Sequence, residues 1–143
     1  MDSLDFAIVG LLVEDGKMSN QELASRVGLT PAPCLRRVKR LEQDGVITGY
    51  TAQIDPARLG RGFEVIVHAD IVVKNLQTVE SFEQRIAAME EVVEMRRMYG
   101  LPDYVIRVQV ADSAAYERWL TGRVLGDPAI SRVDSKIPMK TIK

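Results

Sequence analysis

The chain has 143 residues, 46% of them apolar and 27% charged, with a formal net charge of −1. That length suits one domain or two very small ones, and the apolar share argues against disorder. No apolar run approaches the roughly 18 residues of a membrane span. The acidic start Met1-Asp2-Ser3-Leu4-Asp5 lacks the basic region of a signal peptide, so a cytoplasmic location is expected. One cysteine, Cys34, excludes an internal disulfide and a multi-cysteine metal site. One histidine, His68, excludes a two-histidine relay within the chain, and neither metal nor cofactor is expected.

Bulk charge does not announce a nucleic-acid binder. Residues 1–61 hold eight basic and eight acidic side chains, and residues 62–143 hold eleven and twelve. The signal is local: Leu23 to Leu41 contains five basic residues and no acidic one, and a clustered patch on a neutral protein is an electrostatic footprint.

Leu4, Ile8, Leu11 and Leu12 recur at helical spacing, which predicts an amphipathic helix over 4–14, stopped by Asp15-Gly16. Ser19 and Glu22 have the spacing of a capping box for a second helix reaching about Val27. Gly28 suits the left-handed position after it. Thr30-Pro31 opens a third helix, threonine as N-cap and proline at the first position, ending before Gly45. So short a connection, containing glycine, is the spacing of a helix-turn-helix.

At about 100° per residue, with Leu35 at zero, Cys34, Leu41 and Val38 fall at roughly 260°, 240° and 300° and form with Leu35 the expected buried stripe. Lys39, Gln43, Arg36 and Arg40 fall at roughly 40°, 80°, 100° and 140°, with Arg37 at the edge. A solvated basic face on a helical bundle gives the same wheel. The short turn before it favours a major-groove recognition helix, cations for phosphates and forked donors for guanine edges. Pro31, Ala32 and Pro33 at its start allow close approach to DNA. Val46–Ile54 around Thr48-Gly49 is expected to form two short strands, the wing of a winged helix, broken at Asp55-Pro56.

Gly60-Arg61-Gly62 is the expected domain boundary, giving a DNA-binding domain over 1–54, a linker over 55–62 and a second domain over 63–143. Phe63 to Val73 alternates strictly and predicts a long strand. Val79, Phe82, Ile86 and Met89 predict a helix over 79–90 with Thr78 as cap. Val92–Tyr99 and Tyr104–Ala111 are expected strands flanking Gly100-Leu101-Pro102-Asp103. Ser113 is the expected cap of a helix carrying Tyr116, Trp119, Leu120 and Val124. Val133–Ile142 is the last strand, an edge or bulged one because of Pro138. Strand-helix-strand-strand-helix-strand is the ferredoxin-like arrangement, a four-stranded antiparallel sheet with both helices on one face. The expected fold class is therefore α+β, a winged helix-turn-helix followed by a βαββαβ domain. The uncovered sheet face, expected to be half-apolar through Ile66, Val72 and Met95 or Met98, suggests a second copy as partner.

In order and spacing, Ser19-Asn20-Gln21-Glu22-Leu23-Ala24, Val27–Cys34, Arg37–Glu42 and Gly45-Val46-Ile47-Thr48-Gly49-Tyr50 resemble the Lrp/AsnC, or feast/famine, regulators of bacteria and archaea. The resemblance spans essentially the whole chain. It implies a helix-turn-helix DNA-binding domain and a ligand-sensing domain of ferredoxin-like topology. It implies dimers that assemble into tetramers, octamers or larger discs, and amino acids as effectors at subunit interfaces. The DNA contacts are then expected from Thr30, Pro31, Ala32, Pro33, Arg36, Arg37, Lys39 and Arg40. The effector contacts are expected from Tyr99, Gly100, Leu101, Pro102, Asp103 and Tyr104. The family turn reads glycine-aspartate-aromatic-aspartate-aromatic. Here Gly100, Asp103 and Tyr104 match, whereas Leu101 and Pro102 remove the first acid and stiffen the loop. Asp103 can then take a ligand ammonium group, or serve only to cap a tight hairpin.

His68 reads as a strand residue, Cys34 and Trp119 as core, and the six methionines as filler. The leading expectation is a nucleoid-associated regulator of double-stranded DNA answering to an amino acid. Siroheme decarboxylases resemble the same layout, but a single mid-strand histidine and an intact basic helix speak against an enzyme. A ligand-independent DNA-organising protein is the other alternative.

Overall fold

The computed structural model describes residues 1–72 and 75–142. The chain divides into two compact units, Met1–Gln53 and Ile54–Lys143.

The first unit holds α1 (Ser3–Glu14), α2 (Asn20–Arg26) and α3 (Pro31–Gln43). Ile8, Leu23, Ala24, Cys34 and Leu41 form its core. Ser19 caps α2 by accepting from the Glu22 amide at 3.2 Å. The Glu22 carboxylate, expected to reach back, instead accepts from Arg26 at 2.7 Å. Gly28 ends the helix at φ 71°, where a side chain would be strained. Thr30 holds the N-cap position of α3 without a side-chain capping bond. The buried stripe of α3 is turned from the expected one: Cys34 and Leu41 are buried, but Leu35 is 42% exposed. Arg37, on the other flank, is drawn in instead. The expected wing strands do not form among the described residues: 46–54 contains turn and coil only. Val46 and Ile47 spend their amides on the Leu41 carbonyl at 2.9 and 3.0 Å, and a lone two-stranded hairpin is marginal.

The second unit holds β1 (Phe63–Ile71), α4 (Leu76–Ala87), β2 (Val92–Arg97), β3 (Tyr104–Val110), α5 (Ser113–Trp119) and β4 (Ile130–Lys136). The sheet order is β2-β3-β1-β4, every pair antiparallel. The expected linker 55–62 belongs to this unit. Asp55 caps a 3-10 turn over Pro56–Leu59, and Arg61 donates to the Glu90 carbonyl at 3.0 Å.

Two helix starts lie earlier than the hydrophobic pattern indicates. Asn75, not Thr78, caps α4, and Asp112, not Ser113, caps α5. In each pair the residue nearer the helix start takes the cap because its side chain reaches the free amide three residues on. The helical chain after α5 widens into a π turn over Leu120–Val124. β4 begins and ends before the expected Val133–Ile142, so Pro138 lies outside the sheet. β1 ends at Ile71, and Val73, the expected end of this strand, lies outside the described residues.

Val65, Val67, Ala69 and Ile71 of β1 alternate with Tyr104, Ile106, Val108 and Val110 of β3 to face the helices. Phe82, Ile86, Tyr116 and Trp119 close the core over them. The other sheet face is not half-apolar as expected. Met95 pairs with buried Ile106 and packs on the helix side, and Val72 lies beyond the end of β1. The registers place Glu64, Ile66, His68 and Asp70 beside Val105, Arg107, Gln109, Asp134, Arg132 and Lys136, so Ile66 and Val105 are apolar residues on an otherwise polar open face. Glu64 accepts from Gln109 at 2.9 Å and from Arg107 at 3.3 Å.

Candidate nucleic-acid interface and ligand site

The geometry of the first unit starts at its N-terminus. Asp2 accepts from the Asp5 amide at 3.0 Å, and Asp5 returns the bond to the Asp2 amide at 2.9 Å, a reciprocal cap of α1. The Asp5 side chain is left 1% exposed. Two arginines of α3 meet it there. Arg37 lies 2.7 Å from Asp5 and 2.8 Å from Asp2, and Arg40 lies 2.7 Å from the second Asp5 oxygen. A charged cluster therefore sets the seating of α3 against α1. Asn20, which donates to the Pro31 carbonyl at 2.8 Å, ties the start of α3 to α2.

The Asp2 amide first, then the Arg37 and Arg40 guanidinium groups, hold the Asp5 carboxyl below the ordinary carboxylate range. The Asp5 amide and then Arg37 do the same for Asp2. Carboxyls depressed in the folded state contribute stability that is present above their unfolded value, about 3.9, and is lost as pH falls through the folded one. Thermal melts followed by circular dichroism are expected to show the first unit weakening as pH falls below about 4. Asp5→Asn is expected to start less stable and to lose much of that dependence. An unchanged acid profile would detach the carboxylates from the seating of α3.

Of the eight residues expected at DNA, Thr30, Pro31, Ala32, Arg36, Lys39 and Arg40 are exposed, and Pro33 and Arg37 are half-buried. The cations separate into two sets. Arg37 and Arg40 are engaged by Asp2 and Asp5. Arg36 and Lys39 make no ion pair among the described residues, and they project from adjacent positions on the exposed face of α3. Asp2 and Asp5 escaped the sequence reading. Aspartates three apart at a helix start were the available signal, with two arginines at helical spacing on α3 as their counterpart.

In the second unit, the β2–β3 connection turns at Gly100, φ 96°, and closes with the Met98 amide on the Asp103 carbonyl at 2.8 Å. Asp103 accepts from the Ile71 amide at 3.0 Å, and its own amide donates to Asp70 at 3.0 Å. This reciprocal pair pins the turn to β1. Tyr99 and Leu101 are exposed, and Leu101 and Pro102 line a cavity of about 220 Å³ with His68, Asp70, Arg132 and Asp134. Tyr104 stands apart from them. It is buried on the helix side, its ring 5.1 Å from that of Phe82 and its hydroxyl donating to Glu83 at 2.9 Å. Burial and the Glu83 carboxylate push that phenol up from its usual value. Asp70, Arg132 and Asp134 were not singled out from sequence, because their convergence depends on the β1–β4 register.

Residues 1–48 match the family model described as winged helix-turn-helix DNA-binding, and residues 64–143 match the Lrp/AsnC ligand binding domain. The chain belongs to the Lrp/AsnC family. It is 38% identical to a leucine-responsive regulatory protein of Haemophilus influenzae over 100% of this chain and 86% of the relative. It is 35% identical to a Bkd operon transcriptional regulator of Pseudomonas aeruginosa, over 99% and 93%. A transcriptional regulator of Neisseria meningitidis, solved as an L-Met complex, superposes with a TM-score of 0.95 at 29% identity, covering 100% and 92% of the two chains. As an Lrp/AsnC protein the chain is a transcription regulator with a DNA-binding helix-turn-helix and a ligand-binding domain. In this member of the Lrp/AsnC family, among the described residues, no group of three or more His, Cys, Asp or Glu is placed to hold a metal ion. Among the same residues no helix is long and apolar enough to cross a membrane.

Proposed function

We propose that this Lrp/AsnC regulator binds specific double-stranded DNA through α3 and alters that binding in response to an amino acid held at the β2–β3 turn. The exposed Arg36 and Lys39 on a helix seated by buried charge carry the first half of this reading. Arg36 reads base edges or adjacent phosphates, Lys39 supplies phosphate charge, and Thr30 to Pro33 bring the start of α3 to the backbone. Arg37 and Arg40 act first as the seat of the helix.

The cavity at the turn supports the second half. Arg132 suits a carboxylate, Asp70 and Asp134 suit an ammonium group, and Leu101 and Pro102 present an apolar wall. These are the three parts of an apolar α-amino acid. The relatives named leucine-responsive and solved with L-Met favour the same class. The open sheet face, with both signs of charge interleaved, favours pairing with a second copy about a two-fold axis. Higher assembly of such dimers follows the family pattern.

The test is fluorescence anisotropy against the DNA upstream of its own gene, at two salt concentrations, with a panel of amino acids. The expected result is tight, salt-sensitive binding that one apolar amino acid changes at least about fivefold, within the usual range of allosteric coupling. Affinity equal to that for random DNA would defeat the regulator reading. Specific binding unmoved by every amino acid would defeat the effector reading alone.

A further inference from the structure

Three apolar side chains of α3 serve the core of the first unit: Cys34 and Leu41 are buried in it, and Val38 packs against it. Leu35 is in neither group and is 42% exposed. Its inner edge borders a hollow of about 160 Å³ with Leu12, Leu23 and Tyr50, and its outer side stands in solvent. An exposed leucine alone signifies little, since much of any protein surface is apolar. Its position on the helix gives it meaning.

Leu35 is the fifth residue of α3 and Arg36 the sixth, in the N-terminal half of a 13-residue helix. On the wheel Leu35, Lys39, Ala32 and Arg36 fall at roughly 0°, 40°, 60° and 100°. All four are exposed, and they share one arc. A helix that lays Arg36 and Lys39 into the major groove therefore carries Leu35 in with them. The N-terminal residues of a recognition helix are those that reach base edges. Hydrogen-bonding edges offer a leucine nothing. The one apolar group presented in that groove is the C5-methyl of thymine. Cytosine in the same place turns its N4 donor toward the side chain, and a donor covered by leucine loses its water without gaining a partner.

We propose that Leu35 is a specificity-determining residue, its outer side packing on the C5-methyl of a thymine next to the base that Arg36 contacts. The proposal rests on the reading of α3 as the DNA-binding helix and adds one base to it. That thymine is recognised by its methyl group, without a hydrogen bond.

Selection of random-sequence duplexes by the full-length protein yields its preferred site. Each thymine of that site is then replaced in turn by deoxyuridine, which lacks only the C5-methyl, and affinity is read by fluorescence anisotropy. The expected result is a thymine at which the replacement weakens binding by the parent about three- to fivefold, as uncovering one methyl group does. Leu35→Ala is expected to bind the thymine and uracil forms equally, both about as the parent binds the uracil form. Leu35→Gln, which keeps the reach of the side chain, is expected to show the same indifference and replaces Leu35→Ala if melts of that free variant show a disturbed fold. A methyl effect that persists in the variant belongs to another residue of the arc, such as Ala32, and overturns the proposal. A preferred site with no methyl-sensitive thymine overturns it too, and leaves α3 as the DNA-binding helix. Selection that returns no preferred sequence overturns both readings together.

Discussion

Arg36→Ala is expected to weaken specific DNA binding by about ten- to a hundredfold, the worth of one good contact to a base edge. Arg37→Ala should behave differently. Arg36 lies exposed without an intramolecular ion pair among the described residues, so its loss is felt only when DNA is present. Arg37 is half-buried between Asp2 and Asp5, so its loss leaves the inaccessible Asp5 carboxylate with Arg40 as its one cation beside the Asp2 amide. Arg37→Ala should therefore lower the melting temperature of the free protein, whereas Arg36→Ala should leave it nearly unchanged. Lys39→Ala should reduce binding to all sequences alike and lower the salt slope by about one ion. Anisotropy titrations across a salt series, paired with melts of the free variants, separate the three. Equal losses of DNA affinity and unchanged melts for Arg36 and Arg37 would refute the division between reading and seating.

Tyr104→Ala is expected to cost about 3–5 kcal/mol of folding stability, the range for emptying an aromatic site in a packed core. Tyr104 is 1% exposed, packs on Phe82 and hydrogen-bonds Glu83, which also receives Arg97 at 2.7 Å. Leu101→Ala, three residues earlier and 80% exposed, should leave stability within about 0.5 kcal/mol of the parent. It should instead shift the concentration or identity of the amino acid that alters DNA binding. Chemical denaturation of both variants, read beside their amino-acid dose responses, tests the contrast. A large stability loss in Leu101→Ala with an unaltered dose response would show the turn to be purely structural.

The two units differ in how far their periodicity led. In the second, alternation from Phe63 to Ile71 reports burial directly, because a strand side chain has only two faces to choose between. Strand order and helix placement followed from the element sequence. Helix starts slipped by one to three residues because Asn75 and Asp112 compete with nearby Thr78 and Ser113 for the same role. In the first unit the wheel located the exposed Arg36 and Lys39 but placed Leu35 in the stripe. A wheel has a continuous angle, and which arc is buried depends on what the neighbouring helix offers. Here α1 offers Asp2 and Asp5, so the buried arc rotates toward Arg37 and away from Leu35.

By itself, then, the sequence determined the helix-turn-helix, the ferredoxin-like sheet and the basic face of α3, since each follows from local spacing and short-range chemistry. Tertiary structure alone decided which cations remain available to DNA, because that requires residues 2 and 5 to meet residues 37 and 40. It alone decided that the open sheet face is charged, because the β2 and β4 registers select which side chains share it. It alone brought Asp70, Arg132 and Asp134 to the turn. Contacts between residues far apart in the chain depend on how elements pack, which no local period encodes.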